Sequence, residues 1–210
     1  MSNGESRQRI LESMIVAVGH KGYRATTVGD AIAEAGASRA TFYKHFDDKH
    51  DCFLAAYELV AERVLAAVEA ECDAERSWLA RVRIGLGSLV ELLAADPGLA
   101  RVAVVEPVVA GAEARRRQLA TIERFAKLLE AGRDPSRPRL PANAGLMATS
   151  AVAGLLFDQI QAERAAGLPR RLPELLFALL VPYLGPREAS RCSASWGSRP
   201  GSSSVAPLRT

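Results

Sequence analysis

A chain of 210 residues with 49% hydrophobic composition can bury a sizeable core, as one domain or as a small domain attached to a larger one. Its formal net charge of +3 permits nucleic acid as a partner without requiring it, so the placement of the charge has to decide. Cys52, Cys72 and Cys192 are odd in number and lack any CxxC or Cys/His ligand spacing, which argues against a disulfide framework, a zinc site or another cofactor and fits a reducing cytoplasm.

The polar segment from Met1 to Arg9 precedes amphipathic sequence, and no uninterrupted apolar run is long enough to cross a bilayer, so no membrane partner is expected. From Ile10, the residues Leu11, Met14, Ile15 and Val18 recur with helical period, and Gly22 tolerates the left-handed conformation that ends such a helix. Thr27 is a good N-cap with Asp30 three residues on, and Val28, Ala31, Ile32 and Ala35 form one stripe that stops at Gly36. Ser38 caps again at once, and Phe42 and Phe46 share a face of a third short helix. Asp47 and Asp48 close it and start a long fourth helix marked by Phe53, Tyr57, Val60, Val64 and Val68, with no breaker before the Glu71 to Ser77 region.

Further helices are expected from Trp78 to Ala94, over a short segment Leu99 to Val105, and from about Val108 to Ala131, with Pro107 in the first turn of the last. A proline-rich connection from Asp134 to Pro141 precedes an apolar helix from Ala142 to Ala166, and Gly167-Leu168-Pro169 precedes a final one from Leu172 to Leu184. No alternating strand pattern is present, so the fold class is all-α. From Pro186 to Thr210 the composition turns to Ser, Gly, Pro and Arg and reads as a disordered tail, in which Trp196 is either a docking residue or unanchored.

Two short helices joined by Ala35-Gly36-Ala37 match a helix-turn-helix, whose second helix enters the DNA major groove. With Phe42 and Phe46 inward, Arg39, Tyr43 and Lys44 are left on other faces, and Lys49 stands at the start of the next helix. Arg and Lys pair with guanine or phosphate and Tyr donates to phosphate, although three basic residues alone also describe an ordinary solvated helix.

The wider pattern decides between these. The stretch Gly22-Tyr23-Arg24-Ala25-Thr26-Thr27-Val28, then Ile32 to Ser38, then Thr41-Phe42-Tyr43-Lys44-His45-Phe46 and Lys49 closely resembles the DNA-binding domain of TetR-family transcription regulators, over about the first quarter of the chain. The resemblance implies a three-helix DNA-binding domain over 1–50, a helical ligand-binding and dimerisation domain over 51–185, and a tail over 186–210. It makes Thr27 similar to a phosphate-contacting residue, and places Ser38, Arg39, Ala40, Thr41, Tyr43, Lys44 and His45 at recognition-helix positions. Lys49 resembles the family's lysine at the start of the fourth helix. His45 is read either as a phosphate donor or as a packed histidine.

In that family the last two helices usually pair with those of a second copy, and the apolar breadth of both helices here agrees. Val152, Leu155, Leu156 and Ile160 on one and Leu176 and Leu180 on the other are therefore the expected homodimer interface, the alternative being a central position in the monomer core. For a ligand, Trp78, Val82, Gly85 and Leu89 share one helical face, Gln118, Ile122 and Phe125 share another, and Asp158 and Gln159 interrupt an apolar helix; each also reads as plain core or surface. Arg81, Arg101 and Glu106 are weighed as charged recognition groups against helix solvation. No Gly-rich phosphate loop, HExxH or GxSxG supports an enzyme, and His20, His45 and His50 all cluster near the head. The expectation is a cytoplasmic, homodimeric repressor that binds a palindromic double-stranded DNA operator and is released by a small lipophilic effector.

Overall fold

The computed structural model describes residues 3–73, 75, 77–131, 133 and 140–195. Helix α1, Asn3–Ala25, begins well before Ile10 and leaves helical geometry at Gly22, whose φ of 80° lies in the left-handed region. Helix α2, Val28–Ala35, opens with a reciprocal capping box. The Thr27 side chain accepts the Asp30 N–H, and the Asp30 carboxylate accepts the Thr27 N–H. It closes at Gly36 (φ 59°), whose left-handed conformation returns its N–H to the carbonyls of Ile32 and Ala33. Helix α3, Arg39–His45, is capped by Ser38, and Phe46 stands just past its end in extended conformation rather than on its last turn. Helix α4, Lys49–Asp73, carries the chain from this head into the body.

The body comprises α5 (Trp78–Ala95), α6 (Pro97–Ala100), a π-helical turn (Arg101–Val105), α7 (Glu106–Ala110), α8 (Ala112–Glu130), α9 (Ala144–Gln161), a 3-10 turn (Ala165–Gly167) and α10 (Leu168–Ala194). No strand occurs among the described residues. The expected helix from Val108 to Ala131 is divided, because Gly111 takes a φ of 117° that ends α7 and starts α8; Pro107 accordingly sits in the first turn of α7. Helix α9 is shorter than expected at both ends and stops just before Glu163, a residue at positive φ.

The tail differs most. Gly185 (φ 74°) breaks the helical conformation, yet the chain resumes it through Ala194, with Ala189 and Ser193 buried and the Arg83 guanidinium donating to Ser195 Oγ at 3.2 Å. Residues 186–194 are thus folded, while Trp196 lies outside the described residues.

One apolar core runs through the head and body, from Ile10, Phe42 and Phe53 to Leu176 and Leu180. Helix α1 packs on α2, α4, α6 and α7 at once. Its approach to α6 is backbone to backbone: a Cβ on Gly19 would stand 2.9 Å from the Gly98 Cα.

Candidate functional site

In the head, Phe42 and Phe46 are buried with rings 5.5 Å apart, which fixes the roll of α3 about its own axis. Arg39, Ala40, Tyr43 and Lys44 are consequently exposed, Tyr43 at 54%, and the Tyr43 ring rests edge-on against Phe42 at 5.3 Å. These side chains form an outward polar set on a helix held by buried aromatics, the arrangement that groove reading requires.

Several other expected DNA contacts already serve the head. The Thr27 hydroxyl donates to Asp30 Oδ2 at 2.8 Å while accepting the Asp30 N–H, so its proton is committed to the cap. Ser38 Oγ accepts the Thr41 N–H at 3.0 Å and lies 2.9 Å from Thr41 Oγ1, which joins those two hydroxyls to each other. His45 Nε2 is buried without a hydrogen-bond partner, and its ring leans on Phe46, so it faces the packing. Lys49 is the largest departure. Its ammonium donates to the carbonyls of Tyr23 and Thr26, each at 3.0 Å, and lies 4.2 Å from the centre of the Tyr23 ring. It closes the loop between α1 and α2 and so sets where the helix-turn-helix sits.

Electrostatics supports the same turn. Lys21 Nζ lies 2.6 Å from Asp30 Oδ1. Hydrogen bonding from Lys21, then from the Thr27 backbone and side chain, lowers the Asp30 carboxyl to about 2. Burial instead pushes the Cys52 thiol up to about 12, and Cys52, fully buried, is inert packing.

In the body, α4, α5, α8 and α9 enclose an apolar cavity of about 150 Å³. The four expected α5 residues, Trp78, Val82, Gly85 and Leu89, all line it, and so do Gln118, Ile122 and Phe125 of α8. Asp158 and Gln159 do not: Asp158 points to solvent and Gln159 is half-buried away from the cavity. Gly85 also serves a different purpose from the one expected. A Cβ there would meet Cys72 Sγ at 2.8 Å, so the glycine lets α5 approach α4.

Sequence reading missed the contribution of α4, whose Tyr57 and Val64 line the cavity; the signal was the apolar stripe itself, taken as core. The Tyr57 hydroxyl and the Trp78 indole in the wall are engaged. Tyr57 donates to Thr121 Oγ1 at 2.9 Å, and Trp78 Nε1 to the Leu129 carbonyl at 2.7 Å. Burial, with Thr121 partly opposing it, raises the Tyr57 phenol. Of the charged groups weighed for recognition, Arg81 lines the cavity, while Arg101 and Glu106 pair with each other at 2.6 Å on its head side.

The expected dimer residues also need revision. Val152, Leu156, Ile160, Leu176 and Leu180 are buried within a single chain, where α9 and α10 pack on each other and on α8 and α5. Leu155 alone of that set is exposed, at 42%, and it shares the outward faces of α9 and α10 with Met147 at 68% and Phe177 at 37%.

An outward set of Arg39, Tyr43 and Lys44 on the second of two short helices, joined by one long helix to a body with an apolar cavity, makes a two-part helical protein of the helix-turn-helix class. Residues 10–56 match the family model described as bacterial regulatory proteins, tetR family. Among solved structures the fold is similar to the fatty acid degradation regulator FadR from Bacillus halodurans, with a TM-score of 0.70 and 17% identity over 85% of this chain and 95% of that one. It is also similar to the FadR of Bacillus subtilis in complex with stearoyl-CoA, at 0.70 and 16% over 85% and 98%. The tetR regulator tylp from Streptomyces fradiae, at 0.66 and 22%, is covered over 100% of its length by 95% of this chain. By sequence residues 10–56 match the TetR family, and by fold the whole chain is similar to solved regulators of that description. It is 26% identical over 104 residues to the nucleoid occlusion factor SlmA of Vibrio vulnificus, covering 47% of this chain and 53% of that protein. The SlmA of Shewanella sp. (strain MR-4) is 25% identical over 122 residues, with 58% and 61% covered. The chain therefore spans between about half and three fifths of the length of the curated relatives it matches.

Proposed function

We propose that this chain is a homodimeric transcription regulator, a repressor, whose α3 reads the major groove of a palindromic operator and whose body takes up a small lipophilic effector that releases the DNA. The observation that carries this reading is the outward set Arg39, Tyr43 and Lys44 on a helix rolled into place by Phe42 and Phe46. The family match over 10–56 covers this same segment. The apolar cavity supports the effector, and the regulator solved with stearoyl-CoA shows that a related fold holds a lipophilic ligand. The protein acts by binding rather than catalysis. Repression relieved by ligand is the mode proposed, with two heads presented about one helical turn, ~34 Å, or more apart.

The test is selection of bound sequences from random DNA, followed by affinity measurements on the recovered site. A palindromic site is expected. The combined Arg39→Ala, Tyr43→Phe, Lys44→Ala variant should bind it at least about a hundredfold more weakly, as the loss of base and phosphate contacts each worth about 1–3 kcal/mol implies. Its melting temperature should hardly change. Unaltered binding by that variant refutes the assignment of α3.

A further inference from the structure

Two backbone breaks lie between the cavity and the head, and a long side chain bonds to each. Pro107 has no N–H, so the Ala103 carbonyl lacks the donor four residues on that a helix supplies. Gln118 reaches across from α8: its Nε2 donates to the carbonyls of Val104 at 2.7 Å and Ala103 at 3.3 Å, while Arg115 holds its Oε1 at 2.6 Å. Both carbonyls belong to the π-helical turn, and Glu106 is the residue that follows it. The second break is Gly22. The next N–H, that of Tyr23, donates to Glu106 Oε2 at 2.8 Å, and the other Glu106 oxygen accepts Arg101 Nη2 at 2.6 Å. Glu106 is 1% exposed, so this bond joins body to head out of reach of water. From Tyr23 the path continues through Lys49, which holds the Tyr23 and Thr26 carbonyls beside the α2 cap.

An acceptor that leaves water for an apolar cavity wall must find a donor or lose its hydration uncompensated. The Trp78 indole and the hydroxyls of Tyr57, Thr121 and Thr149 each have one proton, already given to Leu129, Thr121, Arg117 and Gly145. Gln118 has two amide protons on one nitrogen, and the longer of its two bonds, to Ala103, is the weakest commitment among these groups.

We propose that Gln118 reports occupancy of the cavity to the head. A compact neutral molecule with an apolar body and one carbonyl oxygen takes the proton now directed at Ala103, the π turn is left with the Val104 bond as its one pin from Gln118, and the loosened turn lets Glu106 release the Tyr23 N–H. This rests on the reading of the chain as a ligand-responsive DNA-binding protein.

Acetophenone and ethylbenzene test it, because they match in size and differ in the ketone oxygen, and an apolar void near 150 Å³ accepts a benzene ring. Added to the full-length protein, both should shift the Ile122 and Phe125 amide resonances. Acetophenone should weaken operator binding about tenfold and speed hydrogen exchange of the Tyr23 amide about as much, whereas ethylbenzene changes each by less than about twofold. In Gln118→Met, which keeps the packing and removes the donors, both probes should bind and neither should act. Arg81→Met should keep the acetophenone response.

Equal effects of the two probes, or an acetophenone response that survives Gln118→Met, overturns the Gln118 route and leaves the DNA-binding reading standing. Failure of both to shift the cavity amides overturns the ligand class. If the unliganded protein binds no operator, the parent reading fails instead, and Tyr23 exchange, which needs no DNA, still decides the relay.

Discussion

The head and the body are closed by different kinds of bond. In the head the starts of α2, α3 and α4 are each capped by a hydrogen bond that spans three residues: Thr27 with Asp30, Ser38 with Thr41, and Asp48 with the Asp51 N–H. In the body, bonds that span 14 residues or more join elements, as in Gln118 to Val104, Trp78 to Leu129, Tyr183 to Glu130 and, across both parts, Glu106 to Tyr23. Local caps make each short helix certain of its ends and leave its outward face free for a partner. Long-range bonds instead tie the body's geometry to the state of its interior, which is what a protein that senses a molecule needs.

The contrast predicts unequal costs. Glu106→Ala strands the Tyr23 N–H and leaves Arg101 to the solvent that reaches it, and by the usual cost of an unsatisfied buried donor it should lower the unfolding free energy by about 1–3 kcal/mol, read by urea denaturation. A cost below about 1 kcal/mol would show that the body does not hold the head through this bond. Next come the outward faces of α9 and α10. Leu155→Glu with Phe177→Glu should raise the dimer dissociation constant about a hundredfold in sedimentation, a loss suited to two anchor residues, with little change in melting. Leu156→Glu, one residue away but buried, should unfold the chain at any concentration.

The helix ends of the head were legible in the sequence because a cap is written within four residues: Thr27, Asp30, Gly36 and Ser38 all do what their chemistry suggests. So was the cavity wall from α5 and α8, since Trp78, Val82 and Leu89 and the trio Gln118, Ile122 and Phe125 each recur at helical spacing. What was not legible depends on distant partners. An apolar stripe on α9 does not say which of its residues the same chain covers, and Leu155 and Leu156 differ only in facing α8 and α10 or facing away. A lysine in sequence reads as a free charge, whereas Lys49 is enclosed by carbonyls set in place 23 and 26 residues earlier. The Ser- and Arg-rich stretch after Gly185 hid Ala189 and Ser193, small residues that bury without raising hydropathy.

Smaller effects sharpen the local side. Thr27→Ala removes the α2 cap and should cost about 1 kcal/mol, the usual value for such a cap, in thermal melting. The smallest belongs to Asp30. Its carboxyl is held below the usual carboxylate range, so its contribution is present above that range and is lost as pH falls toward about 2. Asp30→Asn should therefore melt below the parent protein at neutral pH, and the two curves should converge in strong acid. A constant gap would assign the effect to the amide rather than to charge.

The meeting of Gly19 and Gly98 is an unpadded joint between α1 and α6. Where two backbones touch with no side chain between them, a turn about the point of contact meets no rotamer there, whereas sliding drives Cα against Cα. At this joint rotation of α1 costs less than translation, and its packing on α2, α4 and α7 sets how far it turns. The π turn packs on α1 as well, so a change there is felt close to this joint.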